Sequence, residues 1–158
     1  MNNSGLFLAL LGAAMAISFN GIGSSLGIVY SAGAAAGVMS EDPKKFGRLI
    51  LLIALPGTQG VYGFVVGFLT LQKIGLLGGD VLSLTSIQGL SVLITCLPVA
   101  FSGAFSAVYQ GKVCASGINM VGKQEGEAGK ALVMGVLVEF YAVLGLLSSL
   151  FGWMFLKL

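Results

Sequence analysis

The sequence predicts an all-α membrane protein: four transmembrane helices arranged as two tandem hairpins that repeat in parallel. Three observations carry this reading. Of 158 residues, 56% are hydrophobic and only 9% are charged, with a mean hydropathy of +0.99, far from the composition of a soluble globule. Four apolar runs, about residues 5–38, 46–72, 85–122 and 128–158, each exceed the ~20 residues a helix needs to cross the hydrocarbon core. A shift of 82 positions lays the first half of the chain on the second.

The first run opens on MNNSGLF, which has no Lys or Arg, and is longer than the ~7–15 apolar residues of a signal-peptide core, so a retained helix is expected. Its glycines Gly23/Gly27 and Gly33/Gly37 stand four apart on one face, as do Gly63/Gly67 of the second run. Such spacing lets backbones approach closely where no hydrophobic effect drives helices together. Packing within one bundle and packing between copies in an oligomer leave the same mark. The third run holds both cysteines, Cys96 and Cys114, eighteen residues or ~27 Å apart on one helix, too far to pair. The fourth run holds the one acidic residue outside the links, Glu139.

The hairpins are expected over 1–79 and 80–158. Phe19, Gly21 and Ser24 fall on Phe101, Gly103 and Ser106, while Gly47, Leu55, Val61 and Gly63 fall on Gly129, Leu137, Val143 and Gly145. Two helices per copy, an even number, make the repeats parallel and not inverted. The mismatches carry information too: Gly57 falls on Glu139, and Ile28 on Gln110, so one hairpin has a carboxylate that the other lacks.

A net charge of +2 gives no reason to expect nucleic acid. The placement of the charges is more telling. Lys44, Lys45 and Arg48 lie in the first link, Lys112, Lys123 and Lys130 on or near the third, against Lys73 and Lys157 elsewhere. By the positive-inside rule, the links between helices one and two and between three and four are cytoplasmic, and both termini lie outside a multi-pass cell membrane protein.

A carboxylate within a spanning segment marks a functional site by default. The plainer alternative is a protonated clasp between helices. Counted from the links, Thr58, Gln59, Gln110 and Glu139 all lie about 20 Å from one membrane face. Positions 55, 58, 59 and 62 follow i, i+3, i+4, i+7, so Thr58, Gln59 and Tyr62 form one polar stripe, beside a proline, Pro56, that frees the Leu52 carbonyl. Such a layer offers oxygens only, and the chain has no histidine, which suits a hard cation and not zinc, copper or iron. One carboxylate balances one positive charge. A proton needs a single acceptor, whereas sodium needs several oxygens to replace its hydration shell, so the layer favours sodium. A proton carrier, a channel or small-solute transporter, and a purely structural bundle remain as alternatives; the channel would need a continuous wet face, and the structural bundle leaves Glu139 unexplained. No nucleotide-binding loop or nucleophile–base pair suggests an enzyme.

The segments LPGTQGVYG, AVYQGK and LVEFYAVLG, set in two tandem hairpins, resemble the proteolipid subunits (K or c) of V-type ATPases, specifically the sodium-translocating bacterial kind, over essentially the whole chain. The resemblance implies identical copies forming a ring in membrane lipid, turned by a soluble ATP-hydrolysing head through central-stalk subunits, and a stator subunit whose arginine displaces the ion. It further implies Na+ held by Glu139, Thr58, Gln59 and Gln110 through side-chain oxygens and by Leu55 through its backbone carbonyl, with Tyr62 bonded to Glu139 as a lock. A subunit with two hairpins and one site moves fewer ions per turn than single-hairpin rings, which suits a pump more than a synthase.

Overall fold

The structure, a computed structural model, describes residues 4–158. Helix α1 (Ser4–Glu41) turns through a short 3-10 segment, Pro43–Lys45, into a second spanning unit made of α2 (Phe46–Ala54) and α3 (Thr58–Lys73). Helix α4 (Ser86–Lys123) and α5 (Ala128–Phe155) form the second hairpin, joined by a 3-10 turn at Glu125–Glu127. No strand occurs among the described residues, and all four spanning units are long and apolar enough to cross a membrane. The fold is the all-α pair of tandem hairpins that the hydropathy and the repeat predict.

Local chemistry sets the ends of these elements. Asp42 accepts a hydrogen bond from the Lys44 N–H and Pro43 opens the turn, so the chain reverses at Asp-Pro. Helix α4 begins with a capping box: Thr85 Oγ1 accepts from the Gln88 N–H, and the Thr85 N–H donates to Gln88 Oε1 at 2.9 Å. Between the hairpins, Gly75 and Gly79 take φ of +81° and +89°, a region open to glycine at little cost. The fourth apolar run leaves its helix at Phe155, three residues short of its end. There Lys73 Nζ donates to the Trp153 carbonyl at 2.6 Å, satisfying a terminal acceptor, and Leu156 and Leu158 fold onto Ala9, Ile74, Leu84 and Val92.

The two 38-residue helices, α1 and α4, run side by side along their length, and glycines make this possible. A Cβ on Gly23 would meet the Ala104 Cα at 2.7 Å, and one on Gly12 the Leu93 Cα at 2.7 Å. Helix α3 packs on α1 in the same way, where Gly63 meets Asn20 and Gly67 meets Ile17. The glycine pairs thus divide: Gly23/Gly27 and Gly63/Gly67 pack within the chain, while a Cβ on Gly33 or Gly37 would meet nothing within 4 Å. Asn20, fully buried at the centre, donates to the carbonyls of Ala16 and Val99 and so stitches α1 to α4. Both cysteines are buried and free.

One expectation is corrected. Lys112 does not lie near the link but inside α4, eleven residues before its end at Lys123. Grouped with the link charges, it nonetheless falls inside the apolar run of residues 85–122, which α4 follows to within a residue at each end. The link charges themselves tie the hairpins together: Glu125 pairs with Arg48 and, at 3.7 Å, with Lys45.

Two substitutions test this packing. Gly23→Val drives methyls into the Ala104 backbone and is expected to cost at least ~1–3 kcal/mol, lowering the thermal midpoint in detergent. Gly47→Ala, where an added Cβ meets nothing, should hold or raise that midpoint by its helix propensity, up to ~1 kcal/mol.

Candidate functional site

Proline creates the geometry of the site. Pro56 has no N–H to continue the α-helical ladder, so residues Leu55–Gly57 close into a 3-10 turn between α2 and α3, and the Thr58 N–H bonds to the Leu55 carbonyl. The break leaves the next turn, Thr58 to Tyr62, facing the other hairpin. Glu139 comes from the middle of α5, four residues after Gly135, and Gln110 from α4.

These side chains, predicted from depth and spacing, come together. Thr58 Oγ1 lies 2.7 Å from Glu139 Oε1, and the Tyr62 hydroxyl donates to the same oxygen at 2.6 Å. Gln59 Nε2 donates to Gln110 Oε1 at 2.7 Å, and Gln110 Nε2 reaches the Gly135 carbonyl at 3.0 Å and Glu139 Oε2 at 3.4 Å. Gln59 and Gln110 are both 0% exposed, so their amides depend wholly on protein partners. Leu55 takes part through its backbone, its carbonyl 3.0 Å from Thr58 Oγ1. Glu139 itself is only part-buried.

The electrostatics turn on a shortage of protons. Thr58 Oγ1 stands 3.0 Å from the Leu55 carbonyl, 3.3 Å from Gln59 Oε1 and 2.7 Å from Glu139 Oε1, three acceptors converging on one hydroxyl. A hydroxyl carries one proton and satisfies one of them. The Leu55 carbonyl also accepts from the Thr58 N–H and Glu139 Oε1 from the Tyr62 hydroxyl, so the competition falls on Gln59 Oε1, which among the described residues has no donor but Thr58, beside a carboxylate. Such a cluster attracts a cation, or a proton on the carboxyl, and its donor set of carbonyl, amide, hydroxyl and carboxylate oxygens is that of a hard ion. Among the described residues no three His, Cys, Asp or Glu side chains gather into a softer metal site.

Sequence reasoning missed the supports of this cluster. The Gly135 carbonyl anchors Gln110, and the absence of a side chain at 135 leaves room for Leu55 and Cys114 beside it. Ser106 Oγ donates to the Val138 carbonyl at 2.9 Å, holding the backbone next to Glu139, and Ser24 accepts from the Gly60 N–H at 2.8 Å, holding the backbone next to Gln59. The signal for this pair lies in the repeat, where Ser24 falls on Ser106. In the first hairpin, Gly57 occupies the place of Glu139, and a Cβ there would meet Ile28, the counterpart of Gln110.

The family of the ATP synthase C subunit matches twice, over residues 11–70 and 93–151. The chain is 43% identical over 147 residues to the V-type sodium ATPase subunit K of Enterococcus hirae, covering 93% of this chain and 90% of that protein. It is 34% identical over 145 residues to the A-type ATP synthase subunit K of Methanocaldococcus jannaschii, covering 92% of this chain and 61% of that longer protein. With the family matched in both hairpins and a relative of 43% identity aligned over nearly all of its length, the chain belongs to the ATP synthase C-subunit family.

Proposed function

We propose that this chain is the membrane rotor subunit of a V-type ATPase and carries Na+ across the membrane on Glu139. The observation that carries the reading is the cluster of carbonyl, amide, hydroxyl and carboxylate oxygens around Thr58. In this reading Glu139, Gln110, Thr58, Gln59 and the Leu55 carbonyl bind the ion, and Tyr62 holds the Glu139 carboxylate in place. The name of the Enterococcus hirae relative, a sodium ATPase subunit, supports sodium as the ion. The chain transports and does not hydrolyse ATP; hydrolysis belongs to the head, which turns the rotor through central-stalk subunits.

Neutralisation makes the cycle possible. An ionised Glu139 facing lipid is costly, and a bound Na+ cancels its charge, so a loaded site can rotate past lipid while an empty one cannot. At the stator an arginine replaces the ion as counter-charge and Na+ leaves. Part-burial of Glu139 supports this exchange: the carboxylate is bonded from α3 and α4 yet keeps some exposure. The links, with both hairpins' basic residues, face the cytoplasm, and both termini lie outside the cell membrane.

The repeat supports a ring. The α1 stripe Phe7, Leu11, Ala14, Ser18, Gly21 and Ser25 is exposed. Shifted by 82 positions it becomes Gly89, Leu93, Cys96, Ala100, Gly103 and Ala107, the side of α4 that packs on α1 within the chain. A second copy placed head to tail repeats a contact the chain already makes with itself, and repetition of such a contact closes into a ring.

Carbodiimide, which attacks a protonated carboxyl, should modify Glu139 in the purified protein, and Na+ should suppress the reaction. Modification at Glu139 that ignores Na+ across pH would convert the reading to a proton carrier. Glu139→Gln should abolish Na+ pumping while the ring still assembles, and retained pumping would refute the assignment. Tyr62→Phe removes a hydrogen bond to a charged acceptor, worth ~1.5–3 kcal/mol, and should weaken Na+ protection against carbodiimide by about 10- to 100-fold.

A further inference from the structure

The break at Pro56 leaves loose ends in the backbone, and helix α1 takes them up. A 3-10 turn bonds each N–H to the carbonyl three residues back, so the Leu52 and Ile53 carbonyls, which Pro56 and Gly57 would serve in an α-helix, lose their partners in the ladder. On the other side of the turn α3 starts afresh at Thr58. Its N-cap is Gly57, which has no side chain to accept from the first N–H groups. Two serines of α1 supply what is missing. Ser31 Oγ donates to the Ile53 carbonyl at 3.0 Å, and Ser24 Oγ accepts from the Gly60 N–H, the third of α3, at 2.8 Å. The third N–H is one that an N-cap oxygen ordinarily serves, so Ser24 is a cap lent by another helix. Ser31 Oγ also stands 3.3 and 3.1 Å from the Gly27 and Ile28 carbonyls, but those two have donors in the ladder of α1, so its one proton is worth most at Ile53.

The clamp is built on one face. Ser24, Gly27 and Ser31 follow i, i+3, i+7 and are all buried. Gly27 stands between the serines, and a Cβ there would meet the Pro56 Cβ at 2.7 Å, so the proline ring seats between the two hydrogen bonds. The repeat separates the parts. Shifted by 82 positions, Ser24 falls on Ser106, whereas Pro56 falls on Val138 and Ser31 on Val113. The second serine thus occurs only in the hairpin whose helix is broken and has a carbonyl to spare.

The turn held in this way carries the Leu55 carbonyl and Thr58, which lie 3.0 Å apart in the cluster. We propose that Ser24 and Ser31 are positioning residues that hold this turn in the shape Na+ requires, and so set the preference of the site for Na+ over a proton. The inference rests on the sodium reading of the Glu139 cluster and deepens it. Sodium needs several oxygens at once, so a turn free to relax loses it as the Leu55 carbonyl and the Thr58 hydroxyl drift from Glu139. A proton needs only the carboxylate and is indifferent to the turn. Both serines bond to backbone groups and act on the ion through them.

The test uses the purified intact ring and two readings of carbodiimide labelling at Glu139: the Na+ concentration that halves it, and its pH profile without Na+. Ser24→Ala and Ser31→Ala should each raise that Na+ concentration by about five- to tenfold, the size of one buried hydrogen bond, while the pH profile stays in place. Ser40→Ala, whose hydroxyl bonds to its own helix at the Gly37 carbonyl, should match the wild type. Ser24→Cys and Ser31→Cys, close in shape but with a weak sulfur partner, should fall between serine and alanine and provide the test where an alanine variant does not assemble. Wild-type Na+ protection in either alanine variant, or in the cysteine variant that replaces it, overturns the proposal, as does a pH profile that moves in step with the Na+ curve. Wild-type ring with no Na+ protection refutes the sodium reading and this proposal with it, whereas protection that survives in the variants refutes this proposal alone.

Discussion

Everything at the centre of this molecule answers to the absence of water. In hydrocarbon each polar group must be satisfied by protein or must hold an ion, and polar groups gather most densely around the hydroxyl of Thr58, set among three acceptors. The surrounding architecture brings that gathering about. Pro56 breaks the second spanning helix so that Thr58, Gln59 and Tyr62 can present together, the small residues of α1 and α4 let the other helices close around them, and Ser24 and Ser106 pin the backbone on either side.

The site is shared between the hairpins. One contributes Thr58, Gln59, Tyr62 and the Leu55 carbonyl, the other Gln110 and Glu139, so neither half of the duplicated chain holds it alone. Divergence between the repeats is what permits this. At the position corresponding to Glu139 the first hairpin has Gly57, which serves the bent turn beside Pro56, and at the position corresponding to Gln110 it has Ile28, which packs against that glycine. One copy supplies a bent turn of hydrogen-bonding groups and the other the carboxylate they meet.

Much of this is legible in the sequence because hydropathy, depth and helical spacing are one-dimensional properties. Counting from the links puts Thr58, Gln59, Gln110 and Glu139 in one layer, and the structure joins the four in one hydrogen-bonded circuit. What counting does not supply is azimuth. It does not separate Gly23, which faces α4, from Gly33, which faces nothing. The proline argument frees the Leu52 carbonyl, whereas the carbonyl that joins the cluster is that of Leu55, since the chain compensates for the proline with a tighter turn and not with a simple gap in the ladder.

The links at one end of the bundle have a mechanical side. Glu125 of the second link pairs with Arg48 and Lys45 of the first, and Lys45 also donates to the Gly122 carbonyl at 2.8 Å. Exposed ion pairs of this kind add little to folding stability, but they fasten the two turns to each other at the point farthest from the chain termini. A push applied sideways to either turn is therefore borne by both hairpins at once. In the rotor proposed above, torsion delivered at this end would load both hairpins together and not shear one past the other.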